Sequence, residues 1–255
     1  MAEVLQPYDF GKLNRTLTID EASYQFQTAQ GPALLKNDLL QLFAKYPRMV
    51  HTFCIVLVHH HFKLKAGQAL VDVSGCSTAW DLETCPTTPD GGFEKYGGYV
   101  KPRSWLISNG KLIPFEFYFD SPVQGTSKSY VDFSAGFDYG FVEEFMSVVA
   151  AHGLSDILGL SLHATHKECM LELNEPGANI TFPERIKDGS KLSFGEASWG
   201  YETLDADGNF HTSGPLRKLG CRTFTKYLKG GDGTHTSEES RKSNPYANMS
   251  STYTE

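Results

Sequence analysis

The chain has no long hydrophobic run. Its longest apolar stretch, Phe53-Cys54-Ile55-Val56-Leu57-Val58, is far shorter than the ~20 residues a membrane-crossing helix needs. The first thirty residues carry no apolar segment of the kind found in a secretion signal, so a cytoplasmic location is expected. Cysteine is sparse as well. Cys54, Cys76, Cys85, Cys169 and Cys221 are odd in number and irregular in spacing, with no Cys-x-x-Cys unit. That excludes a finger-type structural zinc site and makes reduced thiols the expectation. Positive charge is in deficit: 23 Lys and Arg stand against 30 Asp and Glu, for a net charge of −7. Nucleic-acid binders draw most of their affinity from phosphate neutralisation, so nucleic acid is not an expected partner. The glycine-rich phosphate loops, the nucleophile elbow Gly-x-Ser-x-Gly, the zinc motif His-Glu-x-x-His and the kinase signatures are all missing.

Aromatic residues and glycine are plentiful, with 17 Phe, 12 Tyr and 24 Gly. Aromatic-rich segments punctuated by Gly, Asn and Pro favour a sheet-dominated protein over a helical bundle. The expected fold is α+β, a mostly antiparallel sheet of hairpins with two principal helices packed on it. One domain is expected over residues 1–228. From Lys229 the composition turns to Gly, Ser, Thr and charge, and 229–255 is expected to be a disordered tail.

Residues 1–30 read as an irregular or strand-containing lead-in, since Tyr24 and Phe26 alternate. Pro32 opens a helix whose Leu35, Leu39, Leu42 and Phe43 share one face, and Pro47 ends it. The second helix spans Phe137 to His152, with Gly153 as its C-cap. Thr52 to Phe62 is apolar on both faces and predicts a covered central strand, with Ala69 to Val73 as its antiparallel partner. Residues 74–100 read as a loop, Gly-rich between 86 and 98, that could cover a pocket. Asn109-Gly110 predicts a hairpin between 105–108 and 111–119, with Pro114 marking an edge or a bulge. Further hairpins are predicted between 157–163 and 169–174, and between 192–203 and 210–212. A last short element covers 221–228.

The main functional lead is His59-His60-His61. On a strand, His59 and His61 would share a face about 7 Å apart, which suits a shared metal or an acid–base pair. A buried core histidine beside a surface one would serve as well. Thr165-His166 reads as a tight turn, across which His163 would pair with Glu168 and lie on the same face as Glu172. There the alternatives are an oriented catalytic histidine and a solvated hairpin tip. Glu116 sits among aromatics in Pro114-Phe115-Glu116-Phe117-Tyr118. It reads either as a buried acid of raised pKa or as the wet face of an edge strand. Arg103 and Trp105 offer an anion and an aromatic contact to a substrate, or a surface charge and a core anchor.

The run Leu57-Val58-His59-His60-His61-Phe62-Lys63-Leu64, followed by Pro102-Arg103-Ser104-Trp105, resembles a group of uncharacterised fungal proteins of similar length. The resemblance covers about a tenth of the chain. It implies lineage and no activity.

These features point to an enzyme acting on a small molecule through His59, His61 and His163. Arg103, Trp105 and Glu116 would contact the substrate. Cofactor expectations run from a transition metal on His59 and His61, through haem, to none. The alternatives are a non-catalytic small-molecule-binding or interaction module and an aminoacyl-tRNA-using enzyme of the cyclodipeptide-synthase kind. The acidic balance weighs against the last.

Overall fold

The computed structural model describes residues 13–81, 92–93, 98–120, 130–131, 137–164, 169–175, 177–183, 195–201 and 216–223. The expected tail, the turn residues His166 and Glu168, and most of the Gly-rich loop lie outside these residues.

Five helices are described: α1 (Ile19–Thr28), α2 (Gly31–Lys36), α3 (Asp38–Lys45), the single turn α4 (Pro47–Val50) and α5 (Tyr139–Ala151). The lead-in expected to hold a strand is therefore helical. Thr18 and Glu21 form a capping box, each side chain bonded to the other's backbone N–H. Ile19, Ala22 and Phe26 then fall on one buried face, whereas Tyr24 is exposed. The helix expected after Pro32 forms but breaks at Asn37, whose ψ of −83° leaves the helical range. Gly31 has a packing reason. The Phe26 ring lies across it, where any Cβ would collide. No described helix is long and apolar enough to cross a membrane.

The strands are β1 (Phe53–Leu57), β2 (Gln68–Val73), β3 (Cys76–Asp81), β4 (Gly92–Phe93), β5 (Gly98–Ser108), β6 (Lys111–Asp120), β7 (Leu158–Leu162), β8 (Met170–Glu175), β9 (Ala178–Pro183), β10 (Gly195–Gly200) and β11 (Leu216–Thr223). They form one sheet in the order β4-β5-β6-β2-β3-β9-β8-β11-β10-β1-β7, and β7 pairs back onto β5. The sheet therefore curls until its ends meet, closing a ring from which, among the described strands, only β4 stands apart.

The sheet is mixed, which corrects the mostly antiparallel expectation: β2–β6 and β8–β11 pair in parallel. Hairpin β5–β6 forms as expected, with Asn109 and Gly110 both at positive φ and a register shift beside Pro114. Two expected hairpins do not form. β1 pairs with β7 and β10 and not with β2. β7 and β8 go to different neighbours. Segments expected to be loop contribute β3, β4 and the start of β5. β10 pairs with β11, although 210–212 lies outside the described residues.

The helices cover one stretch of the ring's outer face. Phe53, Ile55 and Leu57 join Trp105, Ile107, Leu158, Leu160, Leu162 and Trp199 in a core shared with α1, α3 and α5. Phe26 stacks on Trp199 with centroids 4.7 Å apart, and Phe43 meets Phe141 edge-on at 5.1 Å. Such aromatic pairs contribute about 0.5–1.5 kcal/mol beyond their buried area. With the odd-numbered residues of β1 turned to the helices, alternation sends Cys54 and Val56 to the other side.

Candidate functional site

That other side is polar. Cross-strand partners share a face. The register couples Cys54 with Ser161, Val56 with Ser198, Ser104 with Ser161 and Ser104 with Glu116. It continues through Leu70 with Glu116, Asp72 with Ser77, Ser77 with Asn179, Asn174 with Asn179, and Glu172 with Thr181. One continuous surface of mainly polar side chains thus lines the inside of the curled sheet.

Arg103 stands at its centre. It is 5% exposed, and three carboxylates surround it: Asp72 at 2%, Glu116 at 6% and Glu172 at 1%. Its Nε lies 3.4 Å from Glu116 Oε2, its Nη2 3.7 Å from Glu172 Oε1, and its Nη1 3.9 Å from Asp72 Oδ2. Nη1 donates a 2.5 Å hydrogen bond to the Tyr130 hydroxyl. The register shift in β5 at Ser104 lets both Arg103 and Ser104 reach this group. Ser104 Oγ donates to Glu116 Oε2 at 2.7 Å and lies 2.9 Å from Ser161 Oγ.

The histidines come from the segment just past β1. His59 Nδ1 donates to the Leu57 carbonyl at 2.6 Å, which leaves the lone pair on Nε2. His61 Nε2 is 2.9 Å from Glu116 Oε1. Its Nδ1 is 2.7 Å from Asn174 Oδ1 and 2.6 Å from Asn179 Nδ2. A protonated Nδ1 donates to Asn174, and a bare Nδ1 accepts from Asn179, so the wall serves both forms. The two rings meet edge to face with centroids 4.7 Å apart. His60 points away, its Nδ1 donating to the Thr16 carbonyl. The expected pairing of His59 with His61 holds in space, although both lie beyond the end of β1.

Burial and neighbouring charge set the protonation of these groups. Burial pushes His59 down to about 3, helped by His61 beside it. Burial also opposes charge on His61, but the carboxylates of Glu172 and Glu116 outweigh it and raise its pKa. Burial works to raise Glu116, yet Arg103 and His61 hold it well below the usual carboxylate range. Both alternatives read for Glu116, a buried acid of raised pKa and the wet face of an edge strand, are therefore corrected. Glu116 is neither wet nor raised, because the guanidinium sits against it. The raised carboxyl is Glu172, where burial exceeds the pull of His61 and Arg103.

A cavity of about 90 Å³ opens against this surface. Its lining includes His59, Arg103, Glu116, Tyr130, His163 and Glu172. Several buried atoms there have unmet hydrogen-bonding capacity: Arg103 Nε, Glu172 Oε2 and Thr181 Oγ1. Buried polar atoms are nearly always satisfied, so a cluster of exceptions around one cavity makes it the candidate site. His59, His61 and Glu172 also place one candidate ligand atom each within 4.8 Å of the others.

The candidate residues thus divide. His59, Arg103, Glu116 and His163 line the cavity, and His61 stands directly behind Glu116. Trp105 does not join them. It faces the helix side, edge-on to Phe53 and Phe137. Sequence reasoning passed over Asp72, Tyr130, Ser161, Asn174 and Asn179. Asp72 within Ala69-Leu70-Val71-Asp72-Val73 and Glu172 within Leu171-Glu172-Leu173-Asn174 carried a signal. Each is an acid in an apolar strand. Polar alternation of that kind ordinarily marks a solvated face, and ring closure turned it inward. No family model matches the chain, and neither the curated proteins nor the solved structures yielded a match.

Proposed function

We propose that the protein is an enzyme acting on a small polar molecule held inside the curled sheet. One observation carries this reading: Arg103, Glu116 and Glu172 line a cavity, buried and loosely paired, with Asp72 buried beside Arg103. Burying four charged groups at separations of 3.4–3.9 Å is a poor way to stabilise a fold. Desolvated charge against a cavity is what binding and catalysis use. Arg103 and Tyr130 would hold the guest. Glu172, His59 and His163 present proton-accepting or proton-donating groups to it. His61, Glu116 and the serines would keep the wall in register. The chemistry supported is polar: proton transfer, addition, elimination or hydrolysis.

The test is a thermal-shift and turnover screen with a library of small acids, amines, alcohols and amides. The expected result is a compound that stabilises the protein and is turned over. Tyr130→Phe should weaken its binding about tenfold, the loss of one buried hydrogen bond of ~1.4 kcal/mol. A ligand that is bound and turned over equally well by Tyr130→Phe and Glu172→Gln would place the working site elsewhere. Tight binding with no turnover would instead favour a carrier.

A further inference from the structure

The charge inside the sheet does not balance. Three carboxylates, Asp72, Glu116 and Glu172, face one guanidinium, Arg103. Carboxylates thus outnumber the guanidinium in a place largely withdrawn from water. Buried charge is tolerated only when compensated.

The donors nearest this excess are arranged as ligands. His59 donates Nδ1–H to the Leu57 carbonyl, the second contact that metal-bound histidines characteristically make, and its Nε2 keeps the lone pair. His61 Nε2 lies against the Glu116 carboxylate, which orients that ring in the carboxylate–histidine manner and leaves Nδ1 to coordinate. Glu172 is 1% exposed, lines the cavity, and its Oε2 accepts no hydrogen bond. One donor atom from each lies within 4.8 Å of the others.

We infer that His59, His61 and Glu172 bind one divalent transition-metal ion that serves the reaction proposed above, so that His59 and Glu172 act as its ligands and proton transfer falls to His163. The inference rests on that reading only for the ion's use, and its geometry stands alone. Two imidazoles and one carboxylate suit Zn²⁺, Fe²⁺, Co²⁺ or Mn²⁺ better than Ca²⁺ or Mg²⁺. Three protein ligands leave a coordination position toward the cavity, as catalytic sites do. An ion there would offset the carboxylate surplus and, when bound, polarise a guest oxygen or activate water. Ligand atoms around an ion at ~2.1 Å stand about 3.4 Å apart, so the three side chains close by roughly an ångström on loading. Both Asn174 Oδ1 and Asn179 Nδ2, at 2.7 and 2.6 Å, would have to move off His61 Nδ1 to make room.

The experiment uses the full-length, untagged protein, stripped with chelator and then offered one equivalent of Co²⁺ or Zn²⁺. The expected result is one ion retained per chain after desalting, with the visible d–d bands of Co²⁺ in a low-symmetry nitrogen and oxygen site. His59→Ala and Glu172→Gln should each weaken retention at least ~10-fold, and His60→Ala should leave it unchanged. Glu172→Gln preserves volume and so stays informative if His59→Ala fails to fold. No retained ion, or equal retention by wild type and both ligand variants, overturns the inference. Full turnover in chelator-treated protein would overturn the ion's role while leaving the cavity reading in place. An ion held stoichiometrically, with no ligand or turnover sensitive to Tyr130→Phe, would sustain the metal site and sink the catalytic reading.

Discussion

Gly159→Ala tests the feature on which the site depends, the closure of the sheet. Gly159 sits in β7 between Val56 of β1 and Leu106 of β5. A Cβ there would fall inside the van der Waals shell of the Trp105 carbonyl oxygen, with the carbonyl carbon and Val58 Cγ2 each at 3.2 Å. Two of those neighbours are backbone, which cannot rotate aside. The Gly159 backbone is not left-handed, so alanine meets no conformational penalty. By its effect on the unfolded chain alone it would stabilise by about 0.4–1 kcal/mol. The contact reverses that sign. Either the overpacking strain of ~1–3 kcal/mol is borne, or β5 and β7 part and lose their short ladder at about 1 kcal/mol per bond. A net destabilisation of about 1–2 kcal/mol is expected. Urea denaturation followed by Trp fluorescence should show the midpoint falling by about 0.5 M or more. Gly110→Ala is the control. It has nothing within 4 Å but a φ of +69°, so about 1–2 kcal/mol of backbone strain is expected. A midpoint for Gly159→Ala at or above that of wild type would mean that β5 and β7 are not in contact, and the enclosed site would go with them.

Three further outcomes are expected. In metal-stripped protein, His59 stays neutral when folded down to about 3 but protonates near 6.5 when unfolded. Its contribution is therefore complete above pH ~6.5 and is lost as pH falls toward 3, a few kcal/mol in all. Glu116 acts in the same sense, lower on the scale, and His61, being raised, acts in the opposite one. Urea midpoints from pH 7 to 4 should fall less steeply for His59→Asn, and parallel curves would contradict the assignment. Glu116→Gln removes a carboxylate shared by Arg103, His61 and Ser104, and should cost about 3 kcal/mol. Asp120→Asn breaks the half-exposed pair with Lys101 and should cost less than ~1 kcal/mol, so comparable losses would deny the buried network its weight. Thr18→Ala should lower stability by about 1 kcal/mol through the α1 capping box, and no change in Tm would refute that cap.

The amino-acid sequence determined local features whose physical cause lies within a few residues. Asn109-Gly110 makes the β5–β6 turn because both positions need positive φ. The apolar period of residues 139–151 makes α5, and Phe53 to Leu57 is buried on both faces as its composition demands. Adjacent histidines beyond β1 were legible as a lead because imidazoles seldom cluster in apolar company. Pairing partners were not legible. β1 meets β7 and β10 more than a hundred residues away, and local alternation says nothing about which distant strand will pair. Nor does alternation say which side of a strand is outside. Glu116, Asp72 and Glu172 have the pattern of a solvated face, and only closure of β7 onto β5 turns that face inward. The same closure brings His61 to Glu116, 55 positions along the chain, and to Asn174, 113 along. The sequence set the chemistry of each side chain. The tertiary structure decided which of those side chains would be deprived of water together, and that deprivation makes them a candidate site.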